Sequence, residues 1–259
     1  MKIYSWNLYI FNKEPESAVR FIETLDFDVL CLQEVTPRML VLLKQLPYHI
    51  VYHVDIVRAV PKGAAYRDYV VILSKHEFKG HHTFQFPDFP FPRYVRFLIR
   101  LLSRVRMEWV NERGGIYADV LIGKRLVRVF SVHLTLWGPK NRASEFALVA
   151  SLVDPAIPAV ITGDFNVIEY GPLKLLNALL GASVRESLPT YPERKLFEAR
   201  FKEFDFENPL RGRVTHDFSR SQLDHILVSR SLVVESTMVL PELCGSDHHP
   251  IGVEIRDTA

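Results

Sequence analysis

Short apolar runs that stop at a carboxylate, a carboxamide or a histidine recur along this 259-residue chain. Ile3-Tyr4-Ser5-Trp6 stops at Asn7, Val29-Leu30-Cys31-Leu32 at Gln33-Glu34, and Val160-Ile161-Thr162 opens onto Gly163-Asp164-Phe165-Asn166. Asp224 sits inside Leu223-Asp224-His225-Ile226-Leu227, and Asp247-His248 precedes the last apolar stretch. The end of a buried strand is a costly place for an unpaired charge. These groups therefore need partners, and the fold has to bring distant strand ends together.

Periodicity supplies the elements. Residues 2–8 read as a strand, and residues 16–25 place Ala18, Val19, Phe21, Ile22 and Leu25 at helical spacing. A strand follows at 27–32, then a helix at 37–46 with Pro37 in its first turn, then strands near 48–54 and 69–74. Residues 76–92, rich in proline and phenylalanine, suit an irregular connection, and Tyr94 to Trp109 reads as a helix. Strands return at Gly115–Ile122 and Leu126–Thr135 around a Gly123-Lys124 turn. A helix at 142–153, a buried strand at 160–162, a helix at 172–180, loops with short elements over 181–220, and strands at 223–229 and 250–255 complete the chain. Helices and strands alternate early and hairpins dominate later, which favours a mixed sheet system with helices outside.

With 48% hydrophobic residues the chain can bury one substantial core, so a single domain spanning 1–259 is expected. A net charge of +2 neither demands nor excludes a polyanionic substrate. Two cysteines, Cys31 and Cys244, suggest neither a disulfide framework nor a cysteine zinc site. No cationic leader with an apolar run opens the sequence, and no apolar run is long enough for a membrane span. A soluble intracellular protein is the expectation.

Hard oxygen donors such as those at the strand ends suit magnesium (Mg2+) or manganese (Mn2+), which bind few carboxylates and leave room for water and a phosphate. Taken singly, Asn7 reads as a turn residue, Glu34 as an acid near a helix start, Asp164 to Asn166 as an Asx turn, and His133 as a core histidine. Taken together, the segments Ser5-Trp6-Asn7, Leu32-Gln33-Glu34-Val35, Ser131-Val132-His133-Leu134, Gly163-Asp164-Phe165-Asn166, Leu223-Asp224-His225-Ile226 and Ser246-Asp247-His248-His249-Pro250 resemble, in order, the motifs of the endonuclease/exonuclease/phosphatase superfamily. The resemblance implies the deoxyribonuclease I-like fold: an α/β (α+β) four-layer α/β/β/α sandwich with two mixed β-sheets face to face and the site at one edge.

Residue by residue, it implies that Glu34 is the principal metal ligand, with Asn7 and Asp247 completing or supporting the metal shell. Asp164 would orient or deprotonate the attacking water, Asn166 would donate to a phosphate oxygen, and Asp224 would hold His248. His133 stands where abasic-site endonucleases of the exonuclease III type usually have tyrosine, which argues against an abasic-site role. Asp68, just before the strand at 69–74, is expected to orient His133.

The catalytic set fixes a reaction better than a substrate. An arginine-rich helical insertion around 89–109 carries Arg96, Arg100 and Arg104 at intervals of four, hence on one helical face. With Phe84, Phe86, Phe89 and Phe91 nearby, it suits the phosphates and bases of nucleic acid, or else an anionic membrane surface. A nuclease is the first expectation. The alternatives are a lipid phosphodiesterase of the sphingomyelinase type or a phosphatase, and a non-catalytic binding module, which the intact motif set disfavours. No obligate protein partner is implied.

Overall fold

The computed structural model describes residues 1–59, 66–87, 108–110, 113–179 and 182–256. Its larger sheet runs in the order β12 (Val234–Val239), β13 (Ile251–Ile255), β1 (Lys2–Asn7), β2 (Val29–Val35), β4 (Tyr66–Ser74), β3 (His49–Ala59) and β6 (Glu108–Val110). The second runs β10 (Phe206–Glu207), β11 (Asp224–Ser229), β9 (Ala159–Asp164), β8 (Arg125–His133), β7 (Gly114–Ile122) and β5 (Phe78–Gln85). Both are mixed sheets, as expected.

Alternation along the strands builds the layers. Ile3, Val29, Cys31, Val70 and Ile72 point to an inner core shared with Ile116, Ala118, Val129, Val160 and Ile226 of the second sheet. Their neighbours Tyr4, Trp6, Leu30, Leu32 and Leu73 point outward, against Ala18, Val19 and Ile22 of α1 (Pro15–Thr24) and Met39, Leu40 and Leu43 of α2 (Pro37–Leu43). Strands covered on both faces read as unbroken apolar runs, which is why β1 and β2 were legible. On the other side Phe146, Val149 and Ala150 of α3 (Pro139–Ser151) and Phe197 and Phe201 of α6 (Glu193–Glu203) cover Phe130, Val132, Ile161 and Leu227. Two short helices, α4 (Gly171–Lys174) and α5 (Leu176–Leu179), occupy the span where one helix was expected.

Topology places the motifs. β1 and β2 pair in parallel, as do β8 and β9, so within each sheet two chain ends emerge at the same edge. The antiparallel partners start there: β11 begins with Asp224 opposite Asp164, and β13 begins just after His248 beside β1. Below that edge a buried polar link, Ser5 Oγ to Gln33 Oε1 at 3.5 Å and Gln33 Nε2 to Ser131 Oγ at 3.3 Å, joins the two sheets.

Several expectations need correction. Residues 78–85 form strand β5, at the edge of its sheet, where an exposed polar face hides strand periodicity; the prolines at 87, 90 and 92 all lie beyond it. Residues 108–110 are a strand, because Val57, Arg58 and Ala59 of β3 offer their free edge to them. The rest of the expected Arg-rich helix, with Arg96, Arg100, Arg104, Phe89 and Phe91, lies outside the described residues. Phe84 and Phe86 are buried among Phe130 and Val132 and so cannot stack on bases. The stretch expected to be loops with short elements contains the 11-residue α6, whose buried apolar stripe is little more than Phe197 and Phe201 on a charged helix. The edge strand β12 is likewise an addition.

Candidate active site

Two backbone irregularities aim two carboxylates. Between the pairs Leu32–Val71 and Val35–Tyr69, β2 carries one residue more than β4, a β-bulge. Within it Glu34 adopts φ 52°, a left-handed conformation that costs a non-glycine residue about 1–3 kcal/mol. Thr36 Oγ1 caps α2 through Met39 N immediately afterwards, fixing the exit of the chain. The strained residue projects a carboxylate whose Oε2 accepts from Ile10 N at 2.7 Å and whose Oε1 lies 3.4 Å from Asn7 Nδ2. On the opposite side of β4, the pairs Val54–Tyr69 and Ile56–Asp68 leave Asp55 as the extra residue of β3. Both bulges abut the same residue, Tyr69.

The second bulge corrects one assignment. The carboxylate on His133 is Asp55, with Oδ2 2.6 Å from Nδ1, not Asp68. Asp68 is buried one pair further along β4. A bulge shifts which residue of a strand faces inward, and nothing in the local residue pattern announces it.

Gly163 brings Asp164 into place. Its φ of +139° and its approach to β8, where a Cβ would sit 1.8 Å from Val132 O, admit only glycine. Asp164 then accepts from Asn7 Nδ2 at 3.0 Å on Oδ2 and from Asn166 N at 2.8 Å on Oδ1. Asn166, at φ 54°, donates through Nδ2 to Leu134 O at 2.8 Å. His248 is held by its backbone, with N donating to Ser246 Oγ and O accepting from Trp6 Nε1, while Ser246 Oγ donates to Asn7 O. Its Nδ1 meets Asp224 Oδ2 at 2.8 Å, and Thr215 Oγ1 donates to the same oxygen at 2.7 Å.

The result is an arc. His133 Nε2 lies 3.9 Å from Glu34 Oε1 and 3.8 Å from Asp164 Oδ2; His248 Nε2 lies 3.9 Å from Asp164 Oδ2 and 3.8 Å from Asp247 Oδ1. Burial alone would drive each imidazole toward its neutral form. The charge of and hydrogen bond to Asp55, with Asp164 and Glu34 behind, overcome it and raise His133 to about 9. Asp224, with Asp164 and Asp247, does the same for His248, raised to about 10. Both rings are cations at neutral pH, each facing Asp164 through Nε2.

Asn7, Glu34, His133, Asp164, Asn166, Asp224, Asp247 and His248 thus come together. Asp247 is the most exposed, and its carboxyl lies below the usual range: burial raises it, but His216 and His248 more than compensate. Its Oδ1 is buried without a hydrogen-bond partner. A desolvated carboxylate oxygen with no hydrogen-bond partner, on the same edge as the oxygen donors of Glu34 and Asn7, fits a divalent cation. Two residues escaped sequence reasoning. Asp55 gave no signal, and His216, 3.5 Å from Asp247, had only its nearness to Asp224 in sequence.

Face-to-face mixed sheets, with carboxylates, carboxamides and two charged histidines converging on one edge, define a hydrolase of the deoxyribonuclease I-like class. Residues 4–248 match the model of the Endonuclease/Exonuclease/phosphatase family. The chain belongs to that family and is a metal-dependent phosphoric ester hydrolase. Among solved structures it is similar to an endonuclease/exonuclease/phosphatase from Beutenbergia cavernae, at 19% identity and TM-score 0.71, covering 99% of this chain and 71% of that one. It is also similar to a humanized D. rerio TDP2, at 14% identity and TM-score 0.65, covering 99% of each chain. A third likeness is to the 3′ phosphatase NExo from Neisseria, bound to product DNA hairpin, at 20% identity and TM-score 0.64, covering 99% of each chain. No curated protein sequence matches significantly. Among the described residues no helix is long and apolar enough to cross a membrane.

Proposed function

We propose that this chain hydrolyses phosphodiester bonds of nucleic acid with magnesium or manganese. The observation that carries this reading is the position of Asp164 Oδ2, 3.8 and 3.9 Å from the Nε2 atoms of two histidines, each backed by its own buried carboxylate. Glu34, Asn7 and Asp247 would hold the ion, which would supply charge neutralisation at the phosphate. Asp164 orients the attacking water and accepts its proton. His248, kept charged by Asp224, donates to a phosphate oxygen as negative charge develops there. His133, kept charged by Asp55, protonates the departing oxygen. Asn166 uses one amide hydrogen on Leu134 O and turns the other to the phosphate. Nucleic acid is favoured by the DNA hairpin bound to the Neisseria 3′ phosphatase of the same fold. Arg96, Arg100 and Arg104 would contribute phosphate contacts.

The test is a panel of single-stranded and duplex DNA, RNA, bis-p-nitrophenyl phosphate and sphingomyelin, with magnesium or manganese or with excess chelator. Wild type should cleave the small diester and at least one nucleic acid, chelator should abolish both, and His248→Ala should lose about 10²–10⁴-fold in turnover. Full activity in chelator, or a fully active His248→Ala, refutes the site. Cleavage of sphingomyelin but no nucleic acid refutes the substrate class. Joint replacement of the three arginines by alanine should flatten the salt dependence of nucleic-acid cleavage, and an unchanged slope removes them from it.

A further inference from the structure

His216 has no part in the chemistry above, yet it is firmly built into the rim of the site. Its backbone bridges to both Ser221 and His248, its ring centroid lies 4.7 Å from that of His248, and its Nε2 lies 3.5 Å from Asp247 Oδ2. Two chemistries compete for such a ring. His216, Asp247 and His248 each offer an atom within 4.8 Å of the others, the makings of a nitrogen-rich metal site in which His216 would be a ligand. Alternatively, His216 donates a hydrogen bond to Asp247 and touches no metal.

The far side of the ring decides between them. The backbone N–H of Ser219 donates to His216 Nδ1 at 3.2 Å, and the Ser219 hydroxyl, with Oγ 2.8 Å from the same nitrogen, points its one proton there as well. An N–H directed at Nδ1 requires a lone pair there, so the ring proton of a neutral imidazole sits on Nε2. Toward Asp247 the ring therefore presents a hydrogen, which a metal ligand cannot do.

We propose that His216 is a positioning residue: its Nε2–H fixes Oδ2 of Asp247, so that the buried, unpartnered Oδ1 is presented to the divalent ion. Asp247 is well exposed, with 43% of its side chain accessible, and without this contact its carboxylate would rotate about its last bond. Partners that orient a metal-binding side chain typically change metal affinity by about 10–100-fold when removed. The inference rests on the metal reading above.

The experiment measures Mn2+ binding to the purified chain by titration calorimetry, for wild type, His216→Phe and His216→Gln. Phenylalanine keeps a ring and removes the donor; glutamine restores a donor. His216→Phe should weaken Mn2+ binding about 10-fold or more with the number of ions bound unchanged, and His216→Gln should recover most of the loss. In metal-free wild type, long-range 1H–15N spectra should show His216 as the Nε2–H tautomer, a readout that needs no variant. An unchanged Mn2+ affinity in His216→Phe overturns the inference. So does loss of a whole equivalent of metal, which would make His216 a ligand, and so does an Nδ1–H tautomer. A wild type that binds no Mn2+ removes the metal reading itself. A wild type that binds it, with His216→Phe indistinguishable, removes only the role of His216.

Discussion

Replacing Asp55 by asparagine removes a charge and little volume from beneath His133. The two groups meet at 2.6 Å with neither exposed, and His133 titrates at about 9 in the folded protein against 6.5 in the unfolded chain. A tenfold change in proton affinity corresponds to about 1.36 kcal/mol, so charging His133 in the fold contributes about 3 kcal/mol. The folded value is the raised one, so this stabilisation is complete below about pH 6.5 and disappears as the pH rises through about 9. Urea unfolding of the chelator-treated protein should therefore show Asp55→Asn weaker than wild type by about 3 kcal/mol at pH 6, with the gap closing by pH 10. In NMR titrations His133 should move below 6.5, because burial is then opposed only by the more distant Asp164 and Glu34. Asp68→Asn should leave that titration near 9. A gap that does not depend on pH, or a His133 titration displaced by Asp68→Asn and not by Asp55→Asn, would refute the reasoning.

Gly163→Ala should cost about 3 kcal/mol or more and lower the melting temperature by at least about 6 °C, since the new Cβ meets Val132 O at 1.8 Å within the β8–β9 ladder; a melting temperature within a degree of wild type would contradict the geometry. Cys31, fully buried with a thiol pushed by burial to about 12, should resist maleimide at pH 8 until denaturant is added. Rapid native labelling of both Cys31 and Cys244 would mean that the inner core opens.

The catalytic edge was legible because its motifs end strands whose two faces are both buried, so that each apolar run breaks off abruptly at a polar residue such as Asn7 or Asp164. Elements that lie on a sheet edge, or that bury a single narrow stripe, left weaker traces: the exposed polar face of β5 hid its alternation, and α6 shows only Phe197 and Phe201 above its charges. Asp55 and His216 were illegible for another reason. The first depends on a bulge that only the pairing of β3 with β4 reveals, the second on a loop folding back to bridge His248.

That both bulges abut Tyr69 bears on how the site keeps its spacing. Glu34 and Asp55 lie on strands flanking β4 and are indexed to one rung of it, like two pointers clamped to one slide. Because one position of β4 sets the register of both bulges, it also sets the spacing between the residue proposed to hold the ion and the residue that charges His133. A one-residue deletion in β2 or β3 would erase one bulge and not the other, and would unlock the two at once.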